Sequence, residues 1–207
     1  MTLRDISVPL AAGTPEWPGD TPFSCGWTWS IAAGASVNVS AITTSPHVGT
    51  HADAPLHVRD GWPAADALPL APFAGPARVL TVPPAPRALE AADLAALPDG
   101  PVVRLLLRTG CGIAAGAFPA GWPALTPNAV RALLARGLRL LGVDAPSVDL
   151  RESTTLDTHH ALFAGGAYNL ENLDLRGVAD GEYQLLALPI RIAGADAAPV
   201  RAVLGTP

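Results

Sequence analysis

Twenty glycines and 22 prolines punctuate the 207 residues, and that punctuation limits the chain to short elements. Proline lacks the amide a helix interior needs, and glycine favours turns. Tight turns and irregular, site-bearing segments are expected rather than long helices. Between the breaks lie compact apolar runs at 77–82, 102–107, 138–143 and 183–188. Runs of this length suit central strands covered on both faces. Residues 37–43 alternate apolar and polar, as a half-buried strand does, and 199–204 reads as a closing strand. Helix signals are clearest over 126–137. Thr126 can cap, Pro127 fits the first helical position, Val130, Leu133 and Leu134 form one face, and Gly137 marks the exit. Helices are also expected around Ala88–Leu97 and over His159–Ala164, the second ended by Gly165 and Gly166. Strands that outnumber helices, with both mixed along the chain, give a strand-rich mixed α/β class. Hydrophobic residues make up 49% of the chain, enough for a real core, and no repeat or linker divides it. One domain over 1–207 is expected.

Thirteen Lys and Arg stand against 18 Asp and Glu, a net charge of −5. That is not the basic footprint of a nucleic-acid binder. The longest apolar runs, such as Leu105–Leu107 and Leu140–Val143, are strand-sized. A spanning helix needs roughly 18 to 20 apolar residues. Neither nucleic acid nor membrane is an expected partner. The opening Met1–Ser7 carries an early charge pair and no apolar core of a signal peptide. Two cysteines cannot build a disulfide framework, so a reducing cytoplasm is the expected compartment.

The chemistry gathers around five histidines: His47, His51, His57, His159 and His160. The first three fall within eleven residues and share the segment with Asp53. Pro46, Gly49 and Pro55 make a helix a poor reading there. In an extended chain side chains alternate faces. His47, His51 and Asp53 are all odd-numbered, so a strand, even one broken near Pro55, projects them to one side with His57 close behind. Two imidazoles and a carboxylate on one face suit a borderline metal such as zinc, and the two oxygens of Asp53 could bridge two ions. The bland alternative is a polar strand face with hydrogen-bonded histidines. Four ligand-type side chains at two-residue multiples weigh against it. Downstream, Glu171 lies between Leu170 and Leu173, where an unpaired carboxylate is costly. A metal would satisfy it, and so would simple exposure to solvent. His159 and His160 are equally open at this level.

Competing chemistries find no motif. A Gly-x-Ser-x-Gly elbow is absent, and Ser147 reads as a turn residue. No Gly-x-Gly-x-x-Gly follows a strand, and Cys25 and Cys111 lack a Cys-x-x-Cys partner. Trp27, Trp29, Trp62 and Trp122 sit mostly beside Pro or Gly, with core or lid packing as the default.

The segment His47-x-Gly49-Thr50-His51-x-Asp53-x-Pro55-x-His57 resembles the signature of the metal-dependent cyclase-like hydrolases. The resemblance extends to Trp17-Pro-Gly-Asp20, Asp144-Ala-Pro146-Ser147 and Pro199-Val-Arg201, and it is nearest to the kynurenine formamidase (arylformamidase) branch. It implies a compact domain with a β-barrel-like mixed sheet flanked by helices, forming a homodimer or larger homo-oligomer. It implies two divalent ions per subunit, zinc first, with manganese or cobalt as alternatives. By the same resemblance His47 and His51 would bind one ion, Asp53 and Glu171 would bridge, and His159 rather than His160 would bind the other. His57 would be the acid/base residue and Trp17 would line the substrate pocket. The implied substrate is a small aryl formamide, N-formyl-L-kynurenine, in tryptophan degradation. Isatin or another aryl or cyclic amide is the nearer alternative, and a non-catalytic metal-binding protein the more distant one.

Overall fold

The four compact apolar runs become the middle of one sheet. The computed structural model describes residues 2–206. In chain order the elements are β1 (Leu3–Asp5), β2 (Ser24–Trp29), β3 (Val39–Thr43), β4 (His51–Asp53), β5 (Ala74–Thr81), β6 (Ala88–Leu89), β7 (Arg104–Arg108), β8 (Ala124–Leu125), α1 (Pro127–Ala135), β9 (Leu140–Val143), α2 (Asp157–Ala164), β10 (Tyr168–Leu170), β11 (Gly181–Leu186), β12 (Ala197–Pro199) and β13 (Val203–Gly205). Seven strands form a curled mixed sheet, half of a barrel, in the order β1-β13-β11-β5-β7-β9-β10. β5, β7, β9 and β10 run parallel, while β11, β13 and β1 pair antiparallel.

Alternation along the central strands feeds two cores. Leu106 and Leu140 join Ile6, Phe73, Leu185 and Leu204 on one face. Leu105, Leu107 and Leu141 join Val130, Leu133, Leu162 and Trp122 on the other, where α1 and α2 pack. Burial on both faces is why these strands read as continuous apolar runs. Thr126 caps α1 as expected, its Oγ1 accepting from the Ala129 amide at 3.2 Å, with Pro127 at the first position.

Four expectations need correction. Residues 88–97 form the two-residue β6 and a short 3₁₀ turn at Ala91–Leu94, not an α-helix. The closing strand is split into β12 and β13, which join different sheets; β12 pairs with β4 and β13 with β11 and β1. β3 pairs only with β2, and all its residues are exposed rather than half-buried. Trp27 and Trp29 are likewise exposed at 67% and 60%, whereas Trp122 is fully buried.

Candidate metal centre

β4 is three residues long and it organises the site. Alternation sends His51 and Asp53 to one face, and both are buried. On one side β12 pairs Ala197 with Asp53 and Pro199 with His51, which sets Asp196 at the edge of the cluster. On the other side Glu171, just past β10, exchanges two backbone hydrogen bonds with His51 at 3.3 and 3.0 Å. Asn169 stands two residues earlier and joins the same cluster. Its Nδ2 donates to Asp53 Oδ2 at 2.6 Å and to Glu171 Oε1 at 3.1 Å. From α2, His159 Nε2 reaches Asp53 Oδ2 at 3.1 Å and Glu171 Oε1 at 3.2 Å. His160 points elsewhere, edge-on to Trp62 at 6.1 Å between ring centroids.

The extended run expected through His47 is a turn instead. Gly49 takes φ +73°, and a Cβ added there would meet Leu10 at 2.6 Å. The turn still delivers His47: its Nδ1 lies 3.1 Å from both Asp53 Oδ1 and His51 Nε2. His57 sits in a 3₁₀ turn over Pro55–His57, its ring 4.3 Å from that of His47 and 5.8 Å from that of His159. Structure therefore brings His47, His51, Asp53, His57, His159 and Glu171 into one cluster.

The donor set fits a divalent cation. His47 Nδ1, His51 Nε2 and Asp53 Oδ1 stand 3.1 to 3.2 Å apart. Ligand atoms about 2.0 to 2.1 Å from a tetrahedral ion are separated by about that much. Asp53 Oδ1 is buried and accepts no hydrogen bond, a costly state for a carboxylate oxygen unless a cation meets it. Each inner histidine also gives its other ring nitrogen to an acceptor: His51 Nδ1 to Gly49 O at 2.9 Å, His159 Nδ1 to Asp149 Oδ2 at 2.6 Å, and His47 Nε2 to Asp196 Oδ2 at 3.0 Å. Such acceptors fix the tautomer and aim the free nitrogen inward, as around metal-bound histidines.

A cavity of about 290 Å³ opens over the cluster. Trp17, Phe118, Pro15, Pro146 and Leu156 make its apolar wall. Trp17 is held edge-on against Phe118 and Trp122, with centroids 5.5 and 5.9 Å away. Trp122 in turn donates through Nε1 to the Asp149 carbonyl at 2.7 Å, so the aromatic wall and the His159 support share one anchor.

Residues 4–150 match the cyclase family model. A curated relative, kynurenine formamidase of Bordetella petrii, is 45% identical over 98% of this chain and 97% of its own. The chain belongs to the cyclase family, on its kynurenine formamidase branch. A solved structure described as a "potential metal-dependent hydrolase with cyclase activity" superposes with a TM-score of 0.82 at 28% identity, covering 98% of this chain and 96% of that one. Isatin hydrolase A of Ralstonia solanacearum shares the fold, with a TM-score of 0.78 at 22% identity over 98% and 91% of the two chains.

This cyclase-family site is electrostatically self-paired. Burial alone would lower the His47 imidazole, but the carboxylates of Asp196 and Asp53 outweigh it and raise it to about 9. His51 is raised to about 10 against the same burial cost, chiefly by Asp53 and then Glu171. Burial pushes Asp53 up, but His51, His159 and His47 hold it well below the usual carboxylate range. The carboxylates of Asp53, Glu171 and Asp196 thus favour positive charge at the inner histidines, the same charge a bound cation would bring. Sequence reading missed Asp149, Asn169 and Asp196. Asn169, two residues before Glu171 on a strand, could have been found by the alternation argument. Asp149 and Asp196 carry no such local signal, since their roles arise from α2 and β12 folding back.

Proposed function

We propose that this chain hydrolyses N-formyl-L-kynurenine to L-kynurenine and formate, in tryptophan degradation. The observation that carries the metal half of this reading is Asp53: His47 and His51 face its Oδ1, which accepts no hydrogen bond, His159 faces its Oδ2, and each histidine is aimed inward by its own outer acceptor. The relatives support the substrate. Two divalent ions would be held by His47 and His51 on one side and His159 on the other, with Asp53 and Glu171 shared between them. Zinc suits imidazole and carboxylate donors, as manganese and cobalt do. When bound, such ions lower the pKa of a water toward neutrality and polarise the formyl oxygen.

The chain's own groups do the rest. Trp17 and Phe118 offer flat faces to the aryl ring and exclude water beside it. His57 stands over the cluster, partly exposed, at 3.5 Å from Asp196 Oδ2. It hands a proton to the aryl nitrogen as the carbon–nitrogen bond breaks, because an anilide anion is a poor leaving group. The attacking water gives one proton to His57 as its oxygen bonds to the formyl carbon; that proton passes to the nitrogen, so the amine departs neutral, and the formic acid formed ionises to formate with its proton released to solvent. Neither Cys25 nor Cys111 takes part; both are free thiols.

Asp20 favours the amino-acid substrate over isatin. It lines the cavity, and no Lys or Arg does among the described residues. A carboxylate lining the cavity can pair with the α-ammonium of N-formylkynurenine, which isatin lacks, while the α-carboxylate of that substrate meets no Lys or Arg there and points to solvent. We also read the protein as cytoplasmic and as a homodimer or larger homo-oligomer. No helix among the described residues is long and apolar enough to cross a membrane.

The test is formate release from N-formylkynurenine by the metal-loaded protein, with isatin in parallel. Rapid turnover of the formamide with little ring opening of isatin is expected. Preference for isatin would transfer the chain to the alternative substrate class. In the Asp20→Asn variant, KM for N-formylkynurenine should rise while that for N-formylaniline stays put.

A further inference from the structure

Asn172 is the least accounted-for side chain around the cavity. It directly follows Glu171, lines the cavity and is only 5% exposed. Its backbone is fixed from two sides. The amide donates to the Ala145 carbonyl at 3.0 Å, and the carbonyl accepts from Thr50 Oγ1 at 2.6 Å. Between these bonds φ is +55°, in the left-handed region. Among the described residues only Leu156 shares that region without being glycine, and it lines the same cavity. A glycine would meet the backbone demand at no steric cost. The chain instead buries an amide there, and its Oδ1 accepts no hydrogen bond. Nδ2 is loosely held, 3.5 Å from the His47 carbonyl.

An unpaired buried amide oxygen costs free energy and asks for a donor. Neighbouring donors are committed elsewhere. The His51 amide goes to the Glu171 carbonyl, the Val148 amide to Glu171 Oε1 and the Asp149 amide to Ser147 Oγ. In the wall of a cavity, a donor can arrive with the ligand.

We infer that Asn172 Oδ1 accepts the N–H of the scissile formamide and so positions its nitrogen. The inference rests on the aryl formamide reading above. In such a substrate the nitrogen lies between the ring and the formyl group. With the ring against Trp17 and Phe118 and the formyl group at the histidine cluster, the nitrogen falls between wall and cluster. Asn172 lines that cavity beside Glu171 and the His47 backbone. The contact has a chemical consequence. As the formyl carbon becomes tetrahedral, the nitrogen gains a localised lone pair. Holding the N–H in one direction fixes where that lone pair points, and it must face His57 to take the proton. Asn172 itself neither gains nor loses a proton.

Formanilide and N-methylformanilide test this on the full-length, metal-loaded protein. Neither has an amino-acid tail, and only the first has an N–H. Asn172→Gly keeps the left-handed backbone and removes the amide. Its kcat/KM for formanilide should fall about 10- to 100-fold, the loss expected when a buried donor is left unpaired. The preference for formanilide over N-methylformanilide should fall by the same factor. Metal content after dialysis and circular dichroism should match the wild type. Asn172→Asp retains an Oδ acceptor and should retain the preference, and it serves as the test if the glycine variant fails to fold. N-formylkynurenine and its N-methyl analogue replace the pair where formanilide turns over too slowly to measure. Equal losses on the N–H and N-methyl substrates would overturn the contact, as would an unchanged rate, which would assign Oδ1 to a buried water. A wild type inactive on every formamide would overturn the formamide reading and this contact together.

Discussion

The polar cluster around β4 and the β2–β3 hairpin invert the usual burial rule in opposite directions. Around β4, seven polar side chains (His51, Asp53, Thr50, His159, Asn169, Glu171 and Asn172) are buried. In the hairpin, tryptophan and isoleucine face solvent. Each inversion costs free energy that ordinary packing would avoid. The buried polar cluster offers a donor set that suits a cation, with Asp53 Oδ1 left without a hydrogen bond. The exposed hairpin keeps Trp27, Trp29 and Ile42 at the surface. A departure from hydrophobic-inside is informative where the displaced groups share one chemistry, as the buried ligand-type side chains do.

The sharpest way to break the contrast is to empty the cluster of a ligand. His51→Ala should abolish activity and cut metal affinity by more than the roughly 10- to 100-fold that outer partners cost. Metal analysis after dialysis checks it, and full metal content would return His51 to a structural role. His57→Ala should act differently, keeping its metal while kcat falls on the order of 10²- to 10⁴-fold. A formamide with a better leaving group should recover part of the rate, because its amine needs less protonation. Loss of metal in parallel with His51→Ala would make His57 a ligand instead.

Smaller still is the expected effect of Asp196→Asn. The substitution weakens the acceptor that aims His47, so metal affinity should drop about 10- to 100-fold with the fold intact. Competition against a chromogenic chelator measures this, and unchanged affinity would remove Asp196 from the site.

Protons and cations compete for the cluster, which gives a pH signature. With the metal stripped, His47 and His51 are raised from 6.5 to about 9 and about 10. A histidine raised on folding stabilises fully below its unfolded value and loses that contribution as pH climbs through its folded value. The stripped protein should therefore melt lower as pH rises from about 6.5 to 10. Metal affinity should rise over the same window, since loading expels those protons. A flat melting profile would contradict the pairing. The hairpin should be insensitive by comparison: Trp27→Ser should alter the unfolding free energy by no more than about 0.5 kcal/mol.

Much of the fold was legible because its signals are local. The central strands needed only apolar runs between breaks, and α1 needed only Thr126, Pro127 and an apolar face. The isolated 3₁₀ turn at 91–94 was not legible, because the alanines and leucines of that segment suit an α-helix and only tertiary pairing of β6 with β8 cuts it short. The tryptophans misled for a related reason. Their apolar rings predict burial, yet Trp27 and Trp29 lie on a hairpin whose strand residues are all exposed.

By itself the sequence determined which side chains meet at the site's densest point. His51 and Asp53 are two apart in a strand, and the two-residue period of an extended chain leaves them no choice of face. It also determined that no cysteine, serine elbow or nucleotide loop competes with them. Only the tertiary structure decided how the other side chains reach the cluster. His47 comes through a glycine turn rather than a strand. His159 rather than His160 is chosen by the rotation of α2 against β4. Asp149, Asn169 and Asp196 supply the acceptors and donors that aim the set. These residues lie up to 149 positions from the partners they touch. Local periodicity cannot encode a contact of that separation; it exists only once the sheet has curled and brought β12 and β10 to the two edges of β4.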